Sequence, residues 1–302
     1  MNSIKTIGKS FFLGLSILFF MSDLHSQSYK NLTHLKGGNI ETYYSEGALE
    51  QAEAMAFLCE NVLSFYKTII DFEPTVTLLV LSPTDWSAYT HFPVYGMPHY
   101  PNAKTLVVAS QDNDFWKSML PPLDNLPTDL GNQISETYVD YNGKITMRAF
   151  FNLLAIHELG HAYHEQGGLS MQRKWLGELF CNMFLHTFIA ENRPELLPAL
   201  TIFPNMVVSS TSRESLKYST LNDFEANYGL IASQHPQNYG WYQCRLHTAA
   251  GNIYDEAGIT AFSNLWNTLK ANKDPIDDAA LAELLTTQVH ESVAHVQMHW
   301  ND

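Results

Sequence analysis

The stretch "AIHELGHAYHEQGG", Ala155 to Gly168, constrains this chain more than any other. It puts His157, Glu158, His161, His164 and Glu165 inside a segment whose flank "FFNLLAI" is apolar on several faces. A helix that is apolar all round is a buried one. Buried ionisable groups are costly unless they are paired or coordinate something. Whatever fold the chain adopts must supply partners for these side chains.

His157 and His161 are four residues apart. On a helix they lie about 40° apart in azimuth and about 6 Å apart in rise. Both imidazoles can reach one point beside the helix and offer two nitrogen ligands to a zinc ion, Zn2+. Glu158 stands next to the first ligand. It can lean over the metal's open position and take a proton from water that the metal has acidified. The blander alternative is a set of satisfied polar residues. It suits a lone histidine better than this pair plus Glu158 on one buried helix.

Catalytic zinc usually takes three protein ligands. A third histidine in the pattern HExxHxxGxxH is excluded, because His164 stands where that pattern needs Gly and Gly167 where it needs His. The following segment "RKWLGELFCNMF" offers Glu178, one Gly-Gly turn further on. Two antiparallel helices would bring it back to the metal. A carboxylate among Trp175, Leu176, Leu179 and Phe180 needs a partner, and zinc supplies one. Glu165 is the competing third ligand, but it lies near the helix end. Asn182, one turn beyond Glu178, can accept a hydrogen bond from the far nitrogen of a ligand histidine and fix its tautomer. A local helix hydrogen bond is its equal alternative. His164 reads as a partly exposed helix residue and Trp175 as core packing.

The N-terminus reads as a targeting segment. "MNSIKTIGKS" carries Lys5 and Lys9, and "FFLGLSILFFM", Phe11 to Met21, is too short to span a bilayer but fits a signal-peptide core. Cleavage is expected after Ser26. The protein would then be exported, to the periplasm or outside the cell, with no membrane association after cleavage. A permanently anchored N-terminus is the alternative. The formal charge of −14 makes the chain a poor partner for nucleic acid or anionic membrane. Cys59, Cys181 and Cys244 are too few for a disulfide scaffold. Three buried free thiols are expected rather than one bridge.

Strand patterns cover Asn39 to Ser45, Thr75 to Ser82 and Ala103 to Ser110. Helical spacing covers Ala48 to Ile70. "GMPHYPN" reads as a loop, and residues 111–144 as loop with short helices. Beyond Gly143 helices are expected over Ile145–Gln166, Met171–Ala190, Pro194–Leu200, Leu221–Ser233, Tyr239–Glu256, Ile259–Lys270, Asp277–Thr287 and the C-terminus. The pattern is α+β: a small mixed sheet with an edge strand, then a mostly helical half. Residues 27–145 form the α/β part of one catalytic domain, and 146–302 the helical part with the metal site.

"LLAIHELGHAYHEQ" resembles the metal helix of the gluzincin zinc metallopeptidases, most closely the peptidase MA-like group. "KWLGELFCNMF" resembles their W-x-x-E-G segment, with Glu178 at the third-ligand position, although Leu179 replaces the Gly. Asn182 stands where several gluzincins place an aspartate. "YGWYQCRLHTAAGNIYDEAG" is similar to a downstream helix of that group. The resemblance covers roughly Ile40 to Trp266. It implies a zincin-like fold and hydrolysis of a peptide or protein substrate, with Glu158 as general base. It also implies a donor for the oxyanion, with Tyr242 the leading candidate, Tyr239 second, and His247 and His235 behind them. The strand Ala103 to Ser110 is the candidate edge for holding an extended peptide, or else a plain sheet strand. Two other functions stay open. One is a non-catalytic gluzincin-like binding protein that keeps the metal as a structural element, against which an intact Glu158 argues. The other is a zinc hydrolase of a non-peptide bond. Oligomeric state and cleavage preference leave no signature.

Overall fold

Two apolar, β-branched runs of the first third form the centre of one five-stranded sheet. The structure is a computed structural model that describes residues 29–140 and 142–302. In chain order the elements are β1 (Thr33–Leu35), β2 (Glu41–Tyr44), α1 (Leu49–Ile70), β3 (Thr77–Leu81), α2 (Pro83–Tyr89), β4 (His99–Asn102), β5 (Thr105–Ala109), α3 (Asp114–Lys117) and α4 (Thr128–Thr137). Then follow α5 (Arg148–Gln166), α6 (Lys174–Asn192), α7 (Leu197–Ser210), α8 (Leu221–Gln234), α9 (Pro236–Ala271), α10 (Asp278–Gln288) and α11 (Glu291–Met298). The result is α+β, with a small mixed sheet followed by a mostly helical remainder. The expected signal segment, residues 1–26, lies outside the described residues. Among the described residues no helix is long and apolar enough to cross a membrane.

The strand order is β1-β2-β3-β5-β4. β2, β3 and β5 run parallel, and β1 and β4 close the two sides antiparallel. β3 and β5 are buried almost throughout, as strands covered on both faces must be. This corrects one expectation. Ala103 to Ser110 contains β5, which is interior, and the edge on that side is β4, the "HYPN" segment read as loop. Proline cannot donate to a ladder, so Pro101 fits only an edge, and the β4–β5 register is irregular between His99 and Asn102.

α1 and α5 pack against the sheet, and α6 packs behind α5, among α7, α8 and α9. Every residue of α6 from Trp175 to Ile189 is buried. An aromatic layer ties these elements together: Tyr66 of α1 stacks on Phe184 of α6 at 3.8 Å, beside Tyr163 of α5 and Phe262 of α9. Gly168, at φ +67°, sits in the left-handed region and ends α5, so the chain turns back into α6. The two helices expected either side of Gly258 join into one 36-residue element bent there, at φ 57° and ψ −158°. α7 runs on through Pro204 to Ser210, past the Leu200 expected from the sequence. Asn31 to Asp302 forms one compact unit.

Candidate metal centre

α5 turns His157 and His161 toward α6, which returns Glu178 to them. Glu178 Oε2 lies 3.3 Å from His157 Nε2 and 3.8 Å from His161 Nε2. Ligand atoms about 2.1 Å from one tetrahedral ion stand about 3.4 Å apart, so this spacing suits a shared cation. Glu178 is only 4% exposed, and its Oε2 has no hydrogen-bond partner among the described residues. A buried, orphaned carboxylate oxygen facing two imidazoles fits a metal site. Access is from the His161 side, whose side chain is 25% exposed against 9% and 5% for His157 and Glu178.

Cys181 is a further candidate donor. Its sulfur and one nitrogen each of His157 and His161 all lie within 4.8 Å of one another, a group that could hold a metal ion. It follows Glu178 by three residues and so shares a helix face with it. Cys59, Cys181 and Cys244 are all buried and free among the described residues. Burial, then the charges of Glu178 and Glu158, pushes the Cys181 thiol up. Burial also opposes ionisation of Glu178, but contact with His157, the charge of His161 and a bond from Tyr228 outweigh it and hold Glu178 well below the usual carboxylate range. Metal ligands must be deprotonated, which favours Glu178 over Cys181. Glu165, the competing third ligand, is exposed at the end of α5.

Asn182 fixes the tautomer of His157. Its Nδ2 donates to the Glu178 carbonyl at 3.0 Å, so its Oδ1 must be the atom facing the histidines. That Oδ1 accepts from His157 Nδ1 at 3.1 Å and from His247 Nδ1 at 3.2 Å. His157 Nε2 is thereby left to face Glu178. Burial lowers His157, but the Glu178 carboxylate outweighs it and raises the group overall. His161 goes the other way, lowered to about 4 by burial against the pull of Glu178. Its Nδ1 lies 3.0 Å from His164 Nε2.

Glu158 is half-buried and pushed up to about 8, first by burial and then by Glu178 and Glu165, against the charge of His157. Edge strand β4 brings Tyr100 near it. The Tyr100 hydroxyl is buried with no hydrogen-bond partner among the described residues, and burial and then Glu158 push its pKa up.

The oxyanion candidates fare unequally. Tyr242, the leading one, is corrected: its ring is fully buried against Phe224 and Trp300, and its hydroxyl donates to the Thr220 carbonyl at 2.7 Å. Tyr239, one turn earlier on α9, is raised by burial and then by the Glu178 charge, so it belongs to the cluster. Tyr228 of α8, which the sequence does not single out, donates to Glu178 Oε1 at 2.7 Å, with its ring 6.2 Å from that of Tyr239. His247 is buried behind Asn182, and His235 sits beside Lys217 and Tyr218. No protein-family model matches the chain, and no curated protein matches it.

Proposed function

We propose that the chain is a zinc-dependent hydrolase of the gluzincin type, with a zincin-like fold and a peptide or protein substrate. The observation that carries it is the buried Glu178 Oε2, with no hydrogen-bond partner among the described residues, set 3.3 Å from His157 Nε2 and 3.8 Å from His161 Nε2 with Glu158 beside them. His157, His161 and Glu178 hold the metal. Zinc supplies Lewis acidity and lowers the pKa of water to about 7. Glu158 takes the proton from the attacking water and returns it to the leaving amine. Without a metal its raised pKa keeps it protonated near neutrality, and a nearby dication favours the carboxylate. Tyr239 is the hydroxyl at hand for the developing oxyanion, since the Tyr228 hydroxyl is committed to Glu178 Oε1. Edge strand β4 offers main-chain groups to an extended substrate. Export by removal of residues 1–26 completes the proposal.

Zinc content and cleavage of a mixed peptide library test it, with Glu158→Gln as control. The variant should keep its zinc and its Tm while activity falls about 10²-fold or more. A variant as active as the parent refutes the mechanism.

Cys181 favours a second reading. A closed set of His157, His161, Glu178 and Cys181 would be a structural site with no open position, as in a non-catalytic binding protein. Cys181→Ala separates the two. It should leave zinc affinity within about 3-fold of the parent if three ligands suffice, and lower it by about 10-fold or more if the thiolate binds.

A further inference from the structure

We propose that His164 is a positioning residue that acts through His161, setting its tautomer so that Nε2 keeps a free lone pair on the side of Glu178. The inference rests on the metal reading above.

His161 and His164 lie three residues apart on α5 and therefore share one face. Their facing nitrogens, His161 Nδ1 and His164 Nε2, are 3.0 Å apart. One must donate and the other accept. If His161 Nδ1 donates, its Nε2 is bare, and that atom lies 3.8 Å from Glu178 Oε2. If His164 donates instead, the proton of His161 moves to Nε2. It then points at an oxygen too distant for a hydrogen bond. In the first arrangement the His164 proton sits on its Nδ1, which is not a buried atom without a partner, whereas the second leaves the His161 Nε2–H facing Glu178 with no hydrogen bond, so the first is the stable one. The His164 ring is held in place for this role. It packs edge-on against Phe180 at 6.0 Å and 89°, and against His161 at 5.2 Å.

The two metal-facing imidazoles thus have separate anchors. Asn182 of α6 accepts from His157, and His164 of α5 itself accepts from His161. Both partners of the second anchor lie on α5, with Phe180 of α6 packed against the His164 ring.

The test compares the parent, His164→Gln and His164→Leu. Gln presents an acceptor oxygen near the place of Nε2, whereas Leu fills similar space without one. Chelator competition reads zinc affinity, and nitrogen NMR of the metal-free protein reads the His161 tautomer. His164→Leu should lower zinc affinity about 10- to 100-fold, the range for losing such an outer partner, with Tm and helical circular dichroism retained. His164→Gln should stay within about 3-fold of the parent. In the metal-free parent and the Gln variant, His161 should carry its proton on Nδ1; in the Leu variant both tautomers should appear. Equal zinc affinity in the Leu variant and the parent overturns the inference and leaves the metal reading standing. So does a Gln variant as weak as Leu, which would make His164 mere packing. A parent that binds no zinc, yet shows the His164-dependent Nδ1 tautomer, removes the metal reading and leaves the inference standing.

Discussion

Glu158 and Glu178 are carboxyl groups of one cluster, and their environments drive them in opposite directions. Glu158 is raised to about 8 in the metal-free protein, so the folded chain holds a proton there that the unfolded chain releases near 4.5. Stability falls as pH rises wherever the folded state binds more protons, here between about 4.5 and about 8. Glu178 is lowered, so its contribution is present above 4.5 and lost as pH falls below it. His157 is raised, so its contribution is full below 6.5 and lost as pH climbs. The lowered histidines act against Glu158 and His157: His161, at about 4, and His164 and His247, at about 3, cost stability as pH falls through 6.5. Replacing Glu158 by Gln removes the contribution that favours low pH, so the Tm of the metal-free protein at pH 5.5, taken relative to that at pH 8, should be lower in Glu158→Gln than in the parent. An unchanged difference in the variant would show that Glu158 titrates normally. Zinc affinity should run the other way, rising toward pH 8, because the metal displaces the proton that His157 holds.

The residues of the cluster were not equally legible. His157, Glu158 and His161 follow from spacing on one helix, and Glu178 from a carboxylate stranded among large apolar neighbours. Cys181 carried a usable signal, since three residues after Glu178 means the same face, but a buried thiol reads first as core. Tyr228 carried none. Its approach to Glu178 depends on how α8 lies against α6, which no local pattern encodes. Tyr239 and Tyr242 are three residues apart on α9, and only the packing of Phe224 and Trp300 around Tyr242 decides which one meets the carboxylates.

Among elements, the crossing of α5 and α6 sets the spacing of the site, and Gly160 sets the crossing. A β-carbon at Gly160 would meet Cys181 Cα at 3.0 Å, its Sγ at 3.1 Å and its Cβ at 3.2 Å. Backbone cannot yield as a flexible side chain does, so the helices themselves would have to part. Gly160→Ala gains about 1 kcal/mol of helix propensity, which offsets part of that strain. Gly160→Val forgoes most of this gain and adds two methyls, so about 1–3 kcal/mol of destabilisation is expected. Separation at this point also moves Glu178 away from the imidazoles. Gly160→Val should therefore lose zinc affinity by more than Gly160→Ala, while both keep their helical circular dichroism. Full zinc affinity in the Val variant would place the metal site elsewhere. The helices themselves were legible from hydrophobic period and from Gly167-Gly168. The sheet order was not, because β4 hid behind its prolines and strand neighbours are fixed by packing rather than by local sequence.

At the scale of the whole molecule, α6 carries two loads that separate on removal of a metal. One face brings Glu178 to His157 and His161. The other builds the aromatic layer in which Phe184 meets Tyr66, Tyr163 and Phe262, with the Tyr66 hydroxyl donating to the Phe184 carbonyl at 2.5 Å. That layer needs no ion, and a buried aromatic of this kind is worth about 3–5 kcal/mol against truncation to alanine. A small zinc finger unfolds on losing its metal because it has no such core. Here chelation should leave the helical circular dichroism intact at 25 °C and lower the melting temperature only. Zinc at about 100 times its dissociation constant contributes about 2.7 kcal/mol through binding the folded state alone. In a chain of this length about 1 kcal/mol moves Tm by about 2–4 °C, so a drop of roughly 5–10 °C is expected on adding chelator. Gradual recovery on titrating zinc back would match the affinity read by competition. Two outcomes count against this account: loss of helical signal at 25 °C would make the metal a structural keystone, and a Tm indifferent to zinc would mean that the cluster holds none.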